Sequence, residues 1–195
     1  MNIQSLEQKI GATGNPVEML RNSQIGPYVF PIPSEFTNWR DEQEAWQHTA
    51  VLMDLSYHMT DIYFEGPDVY RLLSDIGVNS FRNFRPNRAK QFVACNYDGY
   101  VIGDAILFHH AENKVSIVGR PSAQNWVAFH AETGDYDVEV TRDERSVSND
   151  KPRFTYRYQI QGPNAEKVLE KVNRGRLPDV KFFHMCEFII AGRTV

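Results

Sequence analysis

Two side chains stand where they could act on a small anion. Arg120 follows the apolar run Val115-Ser116-Ile117-Val118 and a single glycine, at an expected strand end that opens onto an expected helix start. A guanidinium fixed there offers a planar fork of donors that matches a carboxylate. His58, between Tyr57 and Met59, sits at the entry to another expected strand, where its imidazole could donate to an anionic guest. Each has a plainer alternative: a surface arginine paired with an acid, and a hydrogen-bonded core histidine. An aromatic wall is also available. In Gly26-Pro27-Tyr28-Val29-Phe30-Pro31-Ile32-Pro33 the prolines exclude a helix and hold the backbone extended, so Tyr28 and Phe30 can line a pocket.

Other chemistries lack their residues. Glycines are scattered, so there is no phosphate-cradling loop of Walker or dinucleotide type, and no G-x-S-x-G elbow supports a serine hydrolase. The six histidines show no metal-ligand spacing, and His109-His110 would point to opposite faces of a strand, so no metal site is expected.

The elements that must position these residues are legible in outline. Leu6 to Asn22 reads as helical on both sides of a break at Gly11 to Pro16, and Asn38 to Ala50 as a polar helix leading into a buried strand at Val51-Leu52-Met53. Gln91 to Asn96, Tyr100 to His109 and Lys114 to Gly119 read as strands, the first two joined by a turn at Tyr97-Asp98-Gly99. Pro121 to Ala131 reads as a helix, with Trp126, Val127 and His130 on one side. Tyr136 to Thr141 reads as a strand, Arg142 to Pro152 as a polar link, and Val180 to Phe183 and Phe188 to Ile190 as strands. The last five residues resemble a strand cut in mid-course.

The strongest signal is an internal repeat. Thr60-Asp61-Ile62-Tyr63-Phe64-Glu65-Gly66-Pro67-Asp68 returns 96 residues later as Tyr156-Arg157-Tyr158-Gln159-Ile160-Gln161-Gly162-Pro163-Asn164. Each copy reads as strand, Gly-Pro corner and helix. Both helices carry the same apolar stripe, Val69, Leu72, Leu73 and Ile76 in one and Ala165, Val168, Leu169 and Val172 in the other. The expected class is α+β, two related strand-Gly-Pro-helix units joined through antiparallel sheet, with residues 1–50 a helical and extended segment and 51–195 the main domain.

Bulk numbers narrow the function. The chain has 195 residues, 42% apolar and 24% charged, which suits a globular core and excludes disordered or collagen-like classes. A net charge of -4 without a basic block leaves nucleic acid no footprint and fits a small organic ligand better. No apolar run is long enough to span a membrane, and the first residues lack a secretory layout, so a cytoplasmic protein is expected. Cys95 and Cys186, far apart, read as free thiols.

These residues resemble a known family. The two strand-Gly-Pro-helix units, the hairpin Gly99 to Leu107 and Val118-Gly119-Arg120-Pro121 are similar in order and spacing to the folate-binding domain of the glycine-cleavage T-protein (aminomethyltransferase) superfamily. The strings Val17 to Gly26, Asn38-Trp39-Arg40, His58-Met59, Ala89-Lys90-Gln91, Asn125-Trp126 and Lys181-Phe182-Phe183 bring it closest to the tetrahydrofolate-dependent demethylases of vanillate- and syringate-type methoxybenzoates.

The resemblance implies an O-demethylase of aromatic catabolism that passes a methyl group from an aryl methyl ether to N5 of tetrahydrofolate, without metal or corrinoid. It puts Arg120 and His58 on the carboxylate of a small aromatic acid, Tyr28 and Phe30 on the aromatic wall, and Asp104, Val118, Gln159 and Phe182 on the folate. Gly103-Asp104 replaces the Asp-Asp pair of aminomethyl-handling members, and Gly119-Arg120 replaces their Asn-Ala, both against glycine cleavage. In such enzymes the catalytic tyrosine lies past the point matching Val195, so the domain is expected to be truncated at its C-terminal end. A non-catalytic folate-binding or assembly module, and a demethylase of a non-aromatic donor, remain alternatives.

Overall fold

Alternation of apolar and polar residues builds the central sheet. In the computed structural model, which describes residues 5–21, 36–144 and 152–195, five antiparallel strands lie in the order β3 (Arg88–Cys95), β4 (Val101–Ala111), β5 (Lys114–Gly119), β2 (Thr60–Glu65) and β6 (Glu139–Asp143). Phe92, Leu107, Ile117, Ile62 and Phe64 share one face and are fully buried beneath α4 (Val69–Ile76) and α5 (Pro121–Thr133). The stripe on α4, Val69, Leu72, Leu73 and Ile76, is buried as its spacing requires.

The second copy of the repeat is built differently. Its strand β7 (Tyr158–Gln161) pairs antiparallel with one strand, β1 (Val51–Asp54), and α6 (Ala165–Asn173) follows the Gly162-Pro163 corner. No residue of α6 is buried. The expected buried strand at residues 51–53 is therefore only partly covered, and Leu52 is exposed.

The equivalence of the copies extends to their flanks. Gly66 and Gly162 both have positive φ, 153° and 123°, and a Cβ at either would collide with backbone: at Gly66 with Asp137 O and Val138 Cα, at Gly162 with Thr49 O and Ala50 Cα. Asp137 O then accepts from Asp68 N–H, and Thr49 O from Asn164 N–H. The segment running into β6 in the first copy thus has its counterpart in the segment running into β1. One follows its partner strand in sequence and the other precedes it. α3 (Trp39–His48), capped by the Asn38 side chain accepting from Arg40 and Asp41 N–H, leads into β1 as α5 leads toward β6.

The chain divides into two compact units, Met1–Phe30 and Pro31–Val195, so α3 belongs with β1 rather than with the first helices. The smaller unit contains α1 (Leu6–Thr13), closed by a Ser5–Gln8 capping box, and α2 (Pro16–Arg21).

Several local expectations shift. Tyr136 to Thr141 becomes a strand only from Glu139, and the expected link loses Arg142 and Asp143 to β6, while residues 145–151 lie outside the described residues. Val180 to Phe183 is not a strand. Phe183 turns with φ 55°, and its carbonyl accepts from Ala89 N–H. The last residues turn back as a short hairpin of β8 (Ile189–Ile190) and β9 (Arg193–Thr194).

His109 and His110 do lie on opposite faces of β4. His109 is fully buried, its Nε2 2.6 Å from the Tyr70 hydroxyl and its ring tilted against Phe84, and burial holds it below the ordinary histidine value. It stays neutral in the fold while the unfolded chain takes up a proton as pH falls through about 6.5. Unfolding free energy should therefore drop as pH falls below about 6.5, and urea titrations of His109→Asn should show a smaller drop. A second comparison uses repeat-equivalent residues: Leu73→Ala, in the buried stripe, should cost about 2–5 kcal/mol, and Leu169→Ala, on the uncovered helix, clearly less.

Candidate functional site

One end of the five-stranded sheet collects the charged side chains. Thr60 on β2 and Ala105 on β4 both pair with Gly119 on β5, so His58 and Arg120 flank the ends of two adjacent strands and Asp104 lies beside them within β4. Two strand spacings bring these backbones within about 10 Å of one another. The buried Gln124 of α5 fastens this end from beneath, its Nε2 donating to the carbonyls of Thr60 (2.6 Å) and Ile117 (2.9 Å).

Arg120 is the N-cap residue of α5, with extended backbone at φ -75° and ψ 152°. Its side chain is exposed and makes no hydrogen bond or ion pair among the described residues. Pro121 occupies the first helical position and the first turn holds no acid, so a cation stands at the positive end of a 13-residue helix with no anion paired to it among the described residues. That arrangement is unfavourable until an anion arrives.

His58 is exposed, in a turn held by its own N–H donating to Leu55 O at 3.2 Å. Its neighbours Tyr57 and Tyr156 meet edge to face at 6.4 Å, giving that end an aromatic pair. Tyr28 and Phe30 lie outside the described residues.

Asp104 is exposed and accepts from Gln91 Nε2. Strand alternation puts Asp104, Ile106 and Val118 on the sheet face opposite the helices, Val118 buried between Ile106 and its other cross-strand partner Asp61. Gly103 points the other way, toward the start of α5, where a Cβ would run into Ser122 Oγ and Ala123 N. The Gly103-Asp104 pair thus joins a close helix approach to an exposed carboxylate. Gln159 is separate, exposed on β7, with its amide donating to Gln161. Phe182 is exposed on the turn beside Ala89, four residues of β3 away from Val93, the partner of Asp104, or about 13 Å along the strand.

The same end contains a charged network that sequence reasoning passed over. Asp61 and Asp143, cross-strand partners on β2 and β6, are both buried, and Arg153 reaches between them. Arg153 donates to Asp61, to Met59 O at 2.7 Å and to Thr155 O at 3.3 Å, while Asp143 accepts from the backbone N–H groups of Phe154 and Thr155. Arg157 donates to the other oxygen of Asp61. The Tyr63 hydroxyl bonds Thr155 Oγ1, and Ser56 Oγ bonds both N–H and carbonyl of Arg157. Burial pushes the Asp61 carboxyl up from its ordinary value, and the Arg157 and Arg153 guanidiniums push back. The one sequence signal was an aspartate directly before the run Ile62-Tyr63-Phe64. Its partners lie 92 and 96 residues away. Among the described residues no cluster of His, Cys, Asp and Glu could hold a metal ion.

This fold and sheet end define a class. The chain belongs to the family described as GCVT N-terminal domain, which matches residues 18–195. Within it, the chain is 50% identical over 193 residues, 98% of its length and 42% of the relative's, to the syringate O-demethylase of Sphingobium sp.. It is 30% identical over 166 residues, 83% of its length and 39% of the relative's, to an aminomethyltransferase of Corynebacterium aurimucosum. A solved structure, the glycine cleavage system aminomethyltransferase T from Bartonella henselae, matches with TM-score 0.58 at 20% identity over 74% of this chain and 37% of that one, a likeness of fold. The chain spans about two-fifths of the length of these relatives.

The network makes a graded prediction. Asp61→Ala leaves the buried Arg153 short of its main partner and should cost about 3–5 kcal/mol in urea unfolding. Arg157→Ala, which leaves Asp61 paired with Arg153, should cost less, about 1.5–3 kcal/mol.

Proposed function

We propose that this chain is part of a tetrahydrofolate-dependent O-demethylase and forms the end of its site that receives a methoxybenzoate-type aromatic acid. The observation that carries this is Arg120, an exposed guanidinium at the N-terminus of α5 that has no partner among the described residues. Helix dipole and side-chain charge there have the same sign, and a carboxylate between them relieves both. The 50% identity to a protein named for syringate supports that chemistry of guest.

In this reading Arg120 grips the carboxylate and the His58 imidazole donates to it from the neighbouring strand end. Tyr28 and Phe30 are proposed as the ring's aromatic wall. The folate test rests on the donor set: Asp104 offers an exposed carboxylate, an acceptor suited to the N–H edge of a reduced pterin, next to apolar Val118. The residues fit. Asp104, Val118 and Gln159 are the proposed folate contacts, and Phe182, some 13 Å along β3, joins them only for an elongated ligand. Tetrahydrofolate would supply the nitrogen that takes up the methyl group as the methyl–oxygen bond breaks. What this chain contributes is binding and orientation, holding the ring by its carboxylate so that the methoxy group faces the acceptor. A cytoplasmic setting is part of the proposal. Among the described residues no helix is long and apolar enough to cross a membrane.

Isothermal titration with syringate tests the reading. Arg120→Ala should weaken binding at least about tenfold, roughly 1.4 kcal/mol, while Arg174→Ala on the surface after α6 leaves it unchanged. Equal affinity of the Arg120→Ala and parent proteins would remove the basis for the assignment.

A further inference from the structure

Charge gathers a second time at the end of the five-stranded sheet away from Arg120. Between Asp75 and Asp98 the chain has no acid but four cations, Arg82, Arg85, Arg88 and Lys90, although its net charge is -4. Lys90 is used within the fold: its Nζ donates to Ser80 O and lies over the rings of Phe81 and Phe84, 5.2 and 6.0 Å from their centroids. Arg82 and Arg85 each directly follow one of those rings. Both are exposed, and their side chains have no hydrogen-bond or ionic partner among the described residues.

The two arginines stand at a cavity of about 550 Å³, within the range of small-molecule sites. Its walls are aromatic, Tyr70 of α4 with Phe81 and Phe84 of the loop. Ser74 adds a hydroxyl one helical turn from Tyr70, and Glu112, in the turn between β4 and β5, adds an exposed carboxylate that has no ionic partner among the described residues. Two guanidiniums and a carboxylate thus line one hollow without meeting. The walls are held from behind. Phe84 is buried with its ring centroid 4.8 Å from that of His109, and its N–H donates to Phe81 O at 3.0 Å. Asn87 closes the loop, its N–H donating to His109 O and its carbonyl accepting from Met185 N–H, both at 2.9 Å. The 2.6 Å bond to His109 Nε2 pins the Tyr70 ring. Walls already fixed in this way lose little freedom when a guest arrives.

The lining chemistry selects the guest. Three aromatic rings call for a flat ring, and two guanidiniums for a carboxylate attached to it. Glu112 only accepts, so it calls for a hydroxyl donor on another edge of the same ring. We propose that this cavity is a second binding site, for a hydroxybenzoate-type phenolic acid: ring on Tyr70, Phe81 and Phe84, carboxylate on Arg82 and Arg85, phenol hydroxyl donating to Glu112. Tyr70 and Phe84 pack on His109, five residues of β4 from Asp104, about 17 Å along the strand and on its other face. The site is therefore separate from the one at Arg120, and no reaction is assigned to it. The inference stands on the chemistry of this cavity and is independent of the demethylase reading.

The probe is 4-hydroxybenzoate, titrated calorimetrically into the Arg120→Ala protein so that the site at α5 does not contribute. The expected result is one equivalent bound, with intermolecular nuclear Overhauser effects from the ligand ring to Tyr70, Phe81 and Phe84. Arg82→Ala with Arg85→Ala, both at exposed positions, should weaken binding at least about tenfold and leave the thermal midpoint of the free protein unchanged. Glu112→Ala should weaken 4-hydroxybenzoate about threefold or more while benzoate, which has no hydroxyl, binds as well or better. In syringate the hydroxyl is flanked by two methoxy groups that keep it from Glu112, so its titration still reports on Arg120. Four outcomes overturn the proposal: no effects at those rings, unchanged affinity in the double arginine variant, a Glu112→Ala loss equal for both acids, or inorganic phosphate displacing 4-hydroxybenzoate as well as benzoate does, which would leave a site for charge alone.

Discussion

The larger unit depends on a buried exchange of charge. Asp61 and Asp143 bring two carboxylates side by side on neighbouring strands, away from water, a placement that only cations can make tolerable. Arg153 and Arg157 supply them, Arg153 from the segment that leads into the second copy of the repeat and Arg157 from within that copy. Neither half of this network could be buried without the other. Residues 152–157 are laid across the sheet end as a result, with Tyr63, Thr155 and Ser56 completing their hydrogen bonds.

That strap also shapes the candidate site. Arg153 donates to Met59 O, one residue after His58, and Tyr156 reaches Tyr57, one residue before it. From the other side Gln124 ties α5 to β2 and β5, which fixes the backbone from which Arg120 extends. Among the described residues the side chains of the two groups proposed to grip an anion have no hydrogen-bond or ionic partner, and they are anchored through their neighbours. Freedom at the tip and rigidity at the root is what a binding side chain needs.

Local patterns in the sequence were legible where local physics decides the outcome. The Gly-Pro corners, the stripe on α4, the hairpin strands and the opposite facing of His109 and His110 all follow from period, turn chemistry and helix starts within a few residues. Patterns failed where a distant segment decides. The stripe on α6 has the same spacing as that on α4, yet is only partly covered, because among the described residues β7 pairs with β1 alone and the short C-terminal hairpin is what reaches α6. Phe182-Phe183 looked like a strand by composition and became a turn because its carbonyl serves β3. Of the candidate site, the strand-end positions of Arg120 and His58 were legible from local pattern and Asp104 entered only through the family resemblance, while the Asp61 network could not be read, since its members are dispersed over the chain.

The ion pair between Asp61 and Arg157 joins equivalent positions of the two copies. Two identical copies meeting the same way would set aspartate against aspartate, or arginine against arginine. The contact therefore distinguishes the halves from each other. It favours the mixed pairing within one chain and penalises a symmetrical embrace, so the divergence of this single position gives the duplicated fold a built-in polarity.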